Sequence, residues 1–97
     1  MANNLAVNPV VIDTVAADVV ISNSQVKVSD VVFNSAAAPG KIVLIDNLGN
    51  IKFILEVVAA GGGNDSLHFD NPIWITGLVV DNSASTFPAN STLLIYV

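Results

Sequence analysis

His68 is the only histidine in the chain, and Ser66 and Asp70 lie two residues to either side of it. A serine, a histidine and a carboxylate are the groups of a hydrolase triad, in which the histidine contacts both partners. Alternate residues of an extended strand share a face but lie about 7 Å apart. We therefore expect no direct triad hydrogen bonds. We predict an exposed or interface histidine, with a pH-sensitive contact as the alternative.

Oxygen-bearing side chains flank the same segment, at Asn64, Asp65, Asp70 and Asn71. Calcium prefers six to eight oxygen ligands, which loop carboxylates and amides can supply. The spacing does not match the calcium-loop pattern, and neither does the run of residues 46–50. The chain offers fewer ligands for zinc, because it has one histidine and no cysteine. We interpret these residues as turn residues and expect no metal.

The Gly61-Gly62-Gly63 run matches neither phosphate-binding glycine pattern, and no predicted helix follows it. Glu56 is the only glutamate, and no aspartate is singled out as its partner in a glycosidase pair. We therefore predict no enzyme activity and no cofactor. Trp74 and Tyr96 are able to stack on a sugar, but Trp74 lies in a very apolar segment. Packing in the core or in a subunit interface is the preferred interpretation of Trp74.

Composition excludes other classes of function. Hydrophobic residues make up 53% of the 97 residues and charged residues 11%, and the net charge is −5. The chain has no arginine and three scattered lysines, Lys27, Lys41 and Lys52. Nucleic-acid binding and anionic membranes both call for clustered basic residues. We predict neither partner, and no cysteine is present to form a disulfide.

The first nine residues, with Asn3, Asn4 and Asn8, predict an extended N-terminal arm before a single domain over residues 10–97. They lack the basic and apolar regions of a signal peptide, so we expect the protein to be made in the cytoplasm.

The remaining segments predict strands. Val, Ile and Thr are frequent, and β-branched residues favour pleated sheets. We predict about eight short strands, at Val10–Ile12, Asp18–Ile21, Gln25–Phe33, Lys41–Asp46, Ile51–Val58, Ser66–Phe69, Ile73–Asp81 and Thr92–Val97. Asn, Gly, Ser and Pro separate them, and Gly49 is predicted to be left-handed in a hairpin turn. This pattern favours an all-β, antiparallel β-sandwich of jelly-roll type, with an up-and-down barrel as the alternative.

Several predicted strands are apolar on both faces, which is more apolar surface than so small a domain can cover. Obligate interfaces are the usual place for such a surplus, so we predict a homo-oligomer. The candidate interface residues are Leu5, Val7, Val10, Trp74, Ile75, Leu94 and Tyr96.

Residues 40–97 also resemble a known family. Gly40-Lys41-Ile42-Val43-Leu44-Ile45-Asp46 is followed by a glycine turn, and Phe69-Asp70-Asn71-Pro72-Ile73-Trp74-Ile75-Thr76-Gly77-Leu78-Val79-Val80 precedes the closing Thr92-Leu93-Leu94-Ile95-Tyr96-Val97. This sequence pattern resembles that of the small β-sandwich capsid cement, or decoration, proteins of tailed bacteriophages. The first 39 residues carry no such likeness.

The resemblance implies a trimer that binds the major capsid protein on the outer surface of the virion and stabilises the head. It implies no catalytic residue. The alternative function is that of a β-sandwich module that binds carbohydrate or protein in a viral fibre, tail or cell-surface assembly.

Overall fold

The computed structural model describes residues 3, 9–37, 39–58 and 61–97. The described residues form no helix, and their six strands belong to one antiparallel sheet in the order β1-β6-β2-β5-β3-β4. The strands are β1 (Val10–Ile12), β2 (Val19–Ser35), β3 (Gly40–Ile45), β4 (Ile51–Val57), β5 (Gly63–Val80) and β6 (Thr92–Tyr96). The prediction of an all-β fold is confirmed.

Two strands are much longer than predicted. β2 has 17 residues and β5 has 18, and they pair along their whole length. Each unites two predicted strands, so the eight predicted segments become six. The separators Ser22-Asn23-Ser24 and Asn71-Pro72 form irregularities in the pairing instead of turns. The largest places only Ser29 opposite the four residues from Phe69 to Pro72, a bulge that bends the strand pair.

The long β2/β5 pair joins two halves of the sheet. Its Ser35/Gly63 end carries β6 and β1, since residues 30–34 of β2 pair with β6 on their other side. Its Val19/Val80 end carries β3 and β4, through Leu44↔Val80 and Ile45↔Val79. Buried apolar residues from all six strands belong to one cluster. With no other layer among the described residues, the bent sheet must cover its own apolar face.

Alternation sets the core-facing residues. Fully buried side chains alternate along the central strands, with Val31 and Phe33 on β2 and Leu93 and Ile95 on β6. Phe33 stacks on Phe87 at 5.8 Å between ring centroids. The predicted strands at residues 10–12 and 92–97 are both observed: β1 forms one border of the sheet, and β6 lies between β1 and β2.

The predicted strand over 41–46 is covered on both faces by the chain itself. Ile42, Val43 and Leu44 are all buried. The segment after β5 lies along β3, where the N–H of Val43 donates to the Ser85 hydroxyl at 3.0 Å and Thr86 bridges Lys41. Both faces of this strand are therefore buried within the single chain, and residues 81–86 hydrogen-bond along its edge.

The hairpin turn between β3 and β4 is also confirmed, with Gly49 left-handed at φ 86°. Asp46 organises it: its carboxylate accepts the backbone N–H groups of Leu48 and Asn50, each at 2.9 Å. These bonds, the Asn50 N–H first, lower the pKa of Asp46 although desolvation opposes them.

Candidate functional site

An apolar row crosses the outer face of the half sheet that contains β1, β6 and β2. Val11 pairs with Leu94, and Leu94 pairs with Val32. Each of the three is flanked on both sides by core residues, so its side chain points away from the core. All three are partly exposed. This half of the sheet therefore presents aliphatic side chains on the face opposite its core.

A second row lies beside the first. Tyr96 pairs with Asp30 across β6 and β2, and Asp30 pairs with His68 across β2 and β5. Tyr96 is partly exposed and shares the outer face with Leu94, two residues before it. An aromatic and an acid–imidazole pair thus border the aliphatic row.

His68 is held between two carboxylates. Its Nδ1 contacts Oδ1 of Asp30, and its Nε2 lies 3.3 Å from Oδ1 of Asp70. The Asp30 contact is the main cause of a raised pKa for His68, and Asp70 adds to it. The side chain of His68 is 70% exposed, so solvent screens both contacts. The two carboxylates stabilise the protonated imidazolium relative to the neutral ring.

The contacts of His68 test the expectation that no catalytic triad forms. The expectation that Asp70 lies too far from His68 for direct contact is wrong, because the bulge at residues 69–72 interrupts regular strand geometry there. Both ring nitrogens face carboxylates, and neither faces the Ser66 hydroxyl. The backbone N–H of Ser66 donates to Asp65. A serine–histidine pair is therefore not assembled, and the alternative of a pH-sensitive contact gains support.

Sequence reasoning missed Asp30. It lies inside the segment Gln25–Phe33, and nothing nearby in the sequence connects it to His68, 38 residues away. The one available signal was an acidic residue inside an otherwise apolar strand end. Only the register of β2 against β5 places it opposite the histidine.

Trp74 occupies the outer face of the other half of the long pair. It is 59% exposed, so it is not a core residue. The ammonium of Lys27, its cross-strand partner, lies 5.8 Å from the ring centroid. Gln25 and Thr76, paired with each other and both exposed, lie on the same face. An indole surrounded by polar groups is the result.

The seven candidate interface residues fall into three groups. Trp74, Leu94 and Tyr96 are at least partly exposed on outer faces. Val10 and Ile75 are each only 3% exposed and pack in the core of the single chain, so that core already covers them. Leu5 and Val7 lie outside the described residues. Further large apolar side chains are exposed among the described residues, namely Val20, Leu48, Ile51, Ile54, Val58, Ile73 and Val97.

The residues considered for calcium have separate roles. Asp65 accepts the backbone N–H of Glu56 at 3.0 Å and that of Ser66, whereas Asp70 contacts His68. No group of three or more His, Cys, Asp or Glu residues suited to a metal ion occurs in the described part of the chain. Turn and strand contacts thus account for both carboxylates.

The glycine run fits a strand connection. Gly61 and Gly62 are left-handed, with φ of 85° and 95°, and Gly63 begins β5. A Cβ on Gly62 would lie 2.3 Å from the carbonyl oxygen of Ser35. Both the left-handed backbone and this close approach require glycine there.

Comparison with known protein families, with curated proteins and with solved structures found no match to this chain. Within the ranges that the structure describes, no helix has the length and apolar character needed to span a membrane.

Proposed function

We propose that the protein is a structural component of a virion: a trimeric capsid cement protein whose bent sheet is a jelly-roll-like β-sandwich. The observation that carries the proposal is the aliphatic row Val11–Leu94–Val32 on the face opposite the core. A sheet face of this kind is stabilised by burial against another subunit. The resemblance of residues 40–97 to phage decoration proteins supplies the class of assembly.

In this proposal, one surface forms the trimer and another binds the capsid. The outer face with Leu94 and Tyr96 packs against the other subunits of the trimer. The predicted arm of residues 1–9 binds the major capsid protein on the outside of the head. Of that arm, only Asn3 and Pro9 are described; the Asn3 side chain accepts the backbone N–H groups of Asp13 and Thr14.

Stabilisation of the head then follows from linkage. A trimer that binds only the assembled shell shifts the equilibrium toward that shell, as any ligand of one state does. Three weak contacts in one trimer add through multivalency. The acidic charge and the rarity of basic residues suit a surface that does not compete for the packaged genome.

Measurement of the solution mass tests the oligomer. Three chains of 10.1 kDa give a particle of about 30 kDa by light scattering. Leu94→Glu places a charge in the aliphatic row and should yield a folded monomer, with folding checked by circular dichroism. Thr76→Glu is the control and should remain a trimer, because Thr76 is exposed on the outer face of the other half of the β2/β5 pair, away from the row. A wild-type monomer at every concentration contradicts the trimer.

Co-sedimentation with capsids of the virus that encodes the chain tests the second surface. Deletion of residues 1–9 should weaken capsid binding more than trimer formation. Equal loss of both contradicts the division of roles, and wild-type protein that fails to bind capsids contradicts the cement function.

Exposure of Trp74 favours a second candidate, a carbohydrate-binding module. Sugars stack on exposed aromatic rings, and the polar Gln25 and Thr76 beside the indole are able to bond hydroxyl groups. Glycan-array binding that is lost in Trp74→Ala and kept in Leu94→Glu would select this function over the first.

A further inference from the structure

Asp13 has an unusual environment at one end of the β1/β6 pair. It follows β1 directly, and the register Ile12↔Leu93 places it beside Thr92. Its Oδ1 accepts the Thr14 hydroxyl at 3.1 Å. Its Oδ2 is buried and has no hydrogen-bond partner. A buried carboxylate oxygen without a partner is costly, so this atom calls for a donor or a cation.

Two adjoining clefts share Asp13. One, of about 270 Å³, is lined by polar residues, Asn90, Ser91 and Thr92 besides Asp13. The other, of about 410 Å³, has an apolar wall that includes Val15, Phe87 and Pro88. The carboxylate thus lies where a polar pocket meets an apolar groove. Asn90, which lines both, is the one described non-glycine residue with a positive φ, 66°.

The charge of Asp13 is not compensated within the described part of the chain. No cationic nitrogen among the described residues lies within 4 Å of its carboxylate; Lys52 pairs with Asp46, and Lys27 lies over Trp74. The chain has no arginine of its own. Among the described residues none supplies a cation to Asp13, so the position is open to a cation from another molecule.

We propose that the Asp13 cleft binds a basic side chain, lysine or arginine, of a partner protein. The long aliphatic stem of such a side chain packs on Val15, Phe87 and Pro88, and its charged head reaches Asp13. The terminal torsion of an aspartate is soft, so the carboxylate can turn its free oxygen toward the head group. Oxygens of Asn90 and Thr92 accept the remaining donors. A metal ion fits less well, because one carboxylate provides little charge and the apolar wall provides no ligand.

The proposal does not depend on the capsid function. If that function holds, the capsid surface supplies the basic residue; if it fails, the cleft still selects a cationic partner. A single amino acid derivative should bind weakly, with a dissociation constant of about 1 mM or higher, since it brings only one charged contact.

Amide NMR titration with Nα-acetyl-arginine amide and Nα-acetyl-lysine amide tests the site. Saturable shifts are expected at Asp13, Phe87, Asn90 and Thr92, and they should weaken as salt rises. Nα-acetyl-citrulline amide is the neutral isostere of the arginine probe and should produce no such shifts. Equal shifts with citrulline, or no saturation with either basic probe at about 50 mM, overturn the proposal.

Variants give an independent check. Asp13→Asn keeps the shape of the side chain and should abolish the shifts. Asp70→Asn is the matched control, because it removes the same charge from a carboxylate that is 96% exposed elsewhere on the sheet, and it should leave binding unchanged. Binding that survives in Asp13→Asn overturns the proposal. If Asp13→Asn does not fold, the comparison of arginine with citrulline on the wild-type chain decides.

Discussion

Asp30 and His68 face each other across β2 and β5, and the Asp30 carboxylate contacts Nδ1 of the imidazole. Asp70 approaches the other ring nitrogen from the strand that carries the histidine. The pair lies beside Tyr96 on the outer face, at the border of the aliphatic row. Protonation of His68 therefore changes the charge next to the surface that we propose for subunit contact.

The first prediction concerns the titration of His68. Its pKa is raised by Asp30 first and by Asp70 less, so Asp30→Asn should lower the measured pKa more than Asp70→Asn. NMR titration of the imidazole protons measures all three values. A larger effect of Asp70→Asn contradicts the geometry.

The same shift sets the sign of the pH dependence. Because the folded pKa lies above the unfolded value of about 6.5, the imidazolium stabilises the fold fully below that pH. The contribution is lost as pH rises through the folded pKa. Urea denaturation across this range should show the loss in the wild type and not in His68→Gln.

The second prediction concerns neighbouring residues of β5. Ile75 is 3% exposed, so Ile75→Ala should lower the free energy of unfolding by about 2–5 kcal/mol. Trp74→Ala should cost only about 0.5–1 kcal/mol, the value of an exposed cation–π contact. The stability cost of Ile73→Ala should be smaller than that of Ile75→Ala, because the Ile73 side chain is partly exposed. Chemical denaturation measures all three, and a cost for Trp74→Ala equal to that of Ile75→Ala would place the indole in the core.

The third prediction compares two left-handed glycines. Gly49, at φ 86°, has open space around the position of a Cβ, so Gly49→Ala should cost about 1 kcal/mol from backbone strain alone. Gly77, at φ 78°, has the Cβ of Asn47 at 2.6 Å from that position. Gly77→Ala should therefore cost about 1–3 kcal/mol more, through overpacking. Thermal unfolding of the two variants checks the order, and equal costs would show that the Asn47 contact is absent.

The fourth prediction concerns the turn at Asp46. Hydrogen bonds from the turn lower its pKa below the unfolded value, so the carboxylate stabilises the fold above about pH 4. That contribution is lost as pH falls through the folded pKa. Asp46→Asn should be less stable than wild type at pH 7, and the difference should shrink on acidification. Glu56→Gln, at an exposed carboxylate, provides the control in the same denaturation series, and a constant difference for Asp46→Asn would contradict the assignment.

Local patterns in the sequence predicted where backbone is extended, but not where it is continuous. The segments 40–45, 51–57 and 92–96 agree closely with prediction because turn residues end them. β2 and β5 were divided because asparagine, serine, glycine and proline suit both turns and bulges. Only pairing with a second long strand decides between the two, and that pairing joins residues far apart in the sequence.

The candidate surfaces were predictable to a similar degree. Leu94 and Tyr96 were singled out because the last strand is apolar on both faces, and both are partly exposed on the outer face. Ile75 shows the limit of prediction from sequence. It lies next to Trp74 in an apolar run, and nothing in the sequence indicates which of the two side chains faces the core. The Asp30–His68 contact depends on register, and the Asp13 clefts depend on the packing of the loop that contains Phe87.

The carboxylate of Asp65 has a consequence for the exposed border of the sheet. It accepts a hydrogen bond from the Glu56 N–H on β4, the strand at one border of the sheet. The opposite border is β1, which has only three residues. An incoming strand would have to displace that carboxylate before it could extend the sheet. Strand-to-strand addition of another chain at this border is thereby disfavoured.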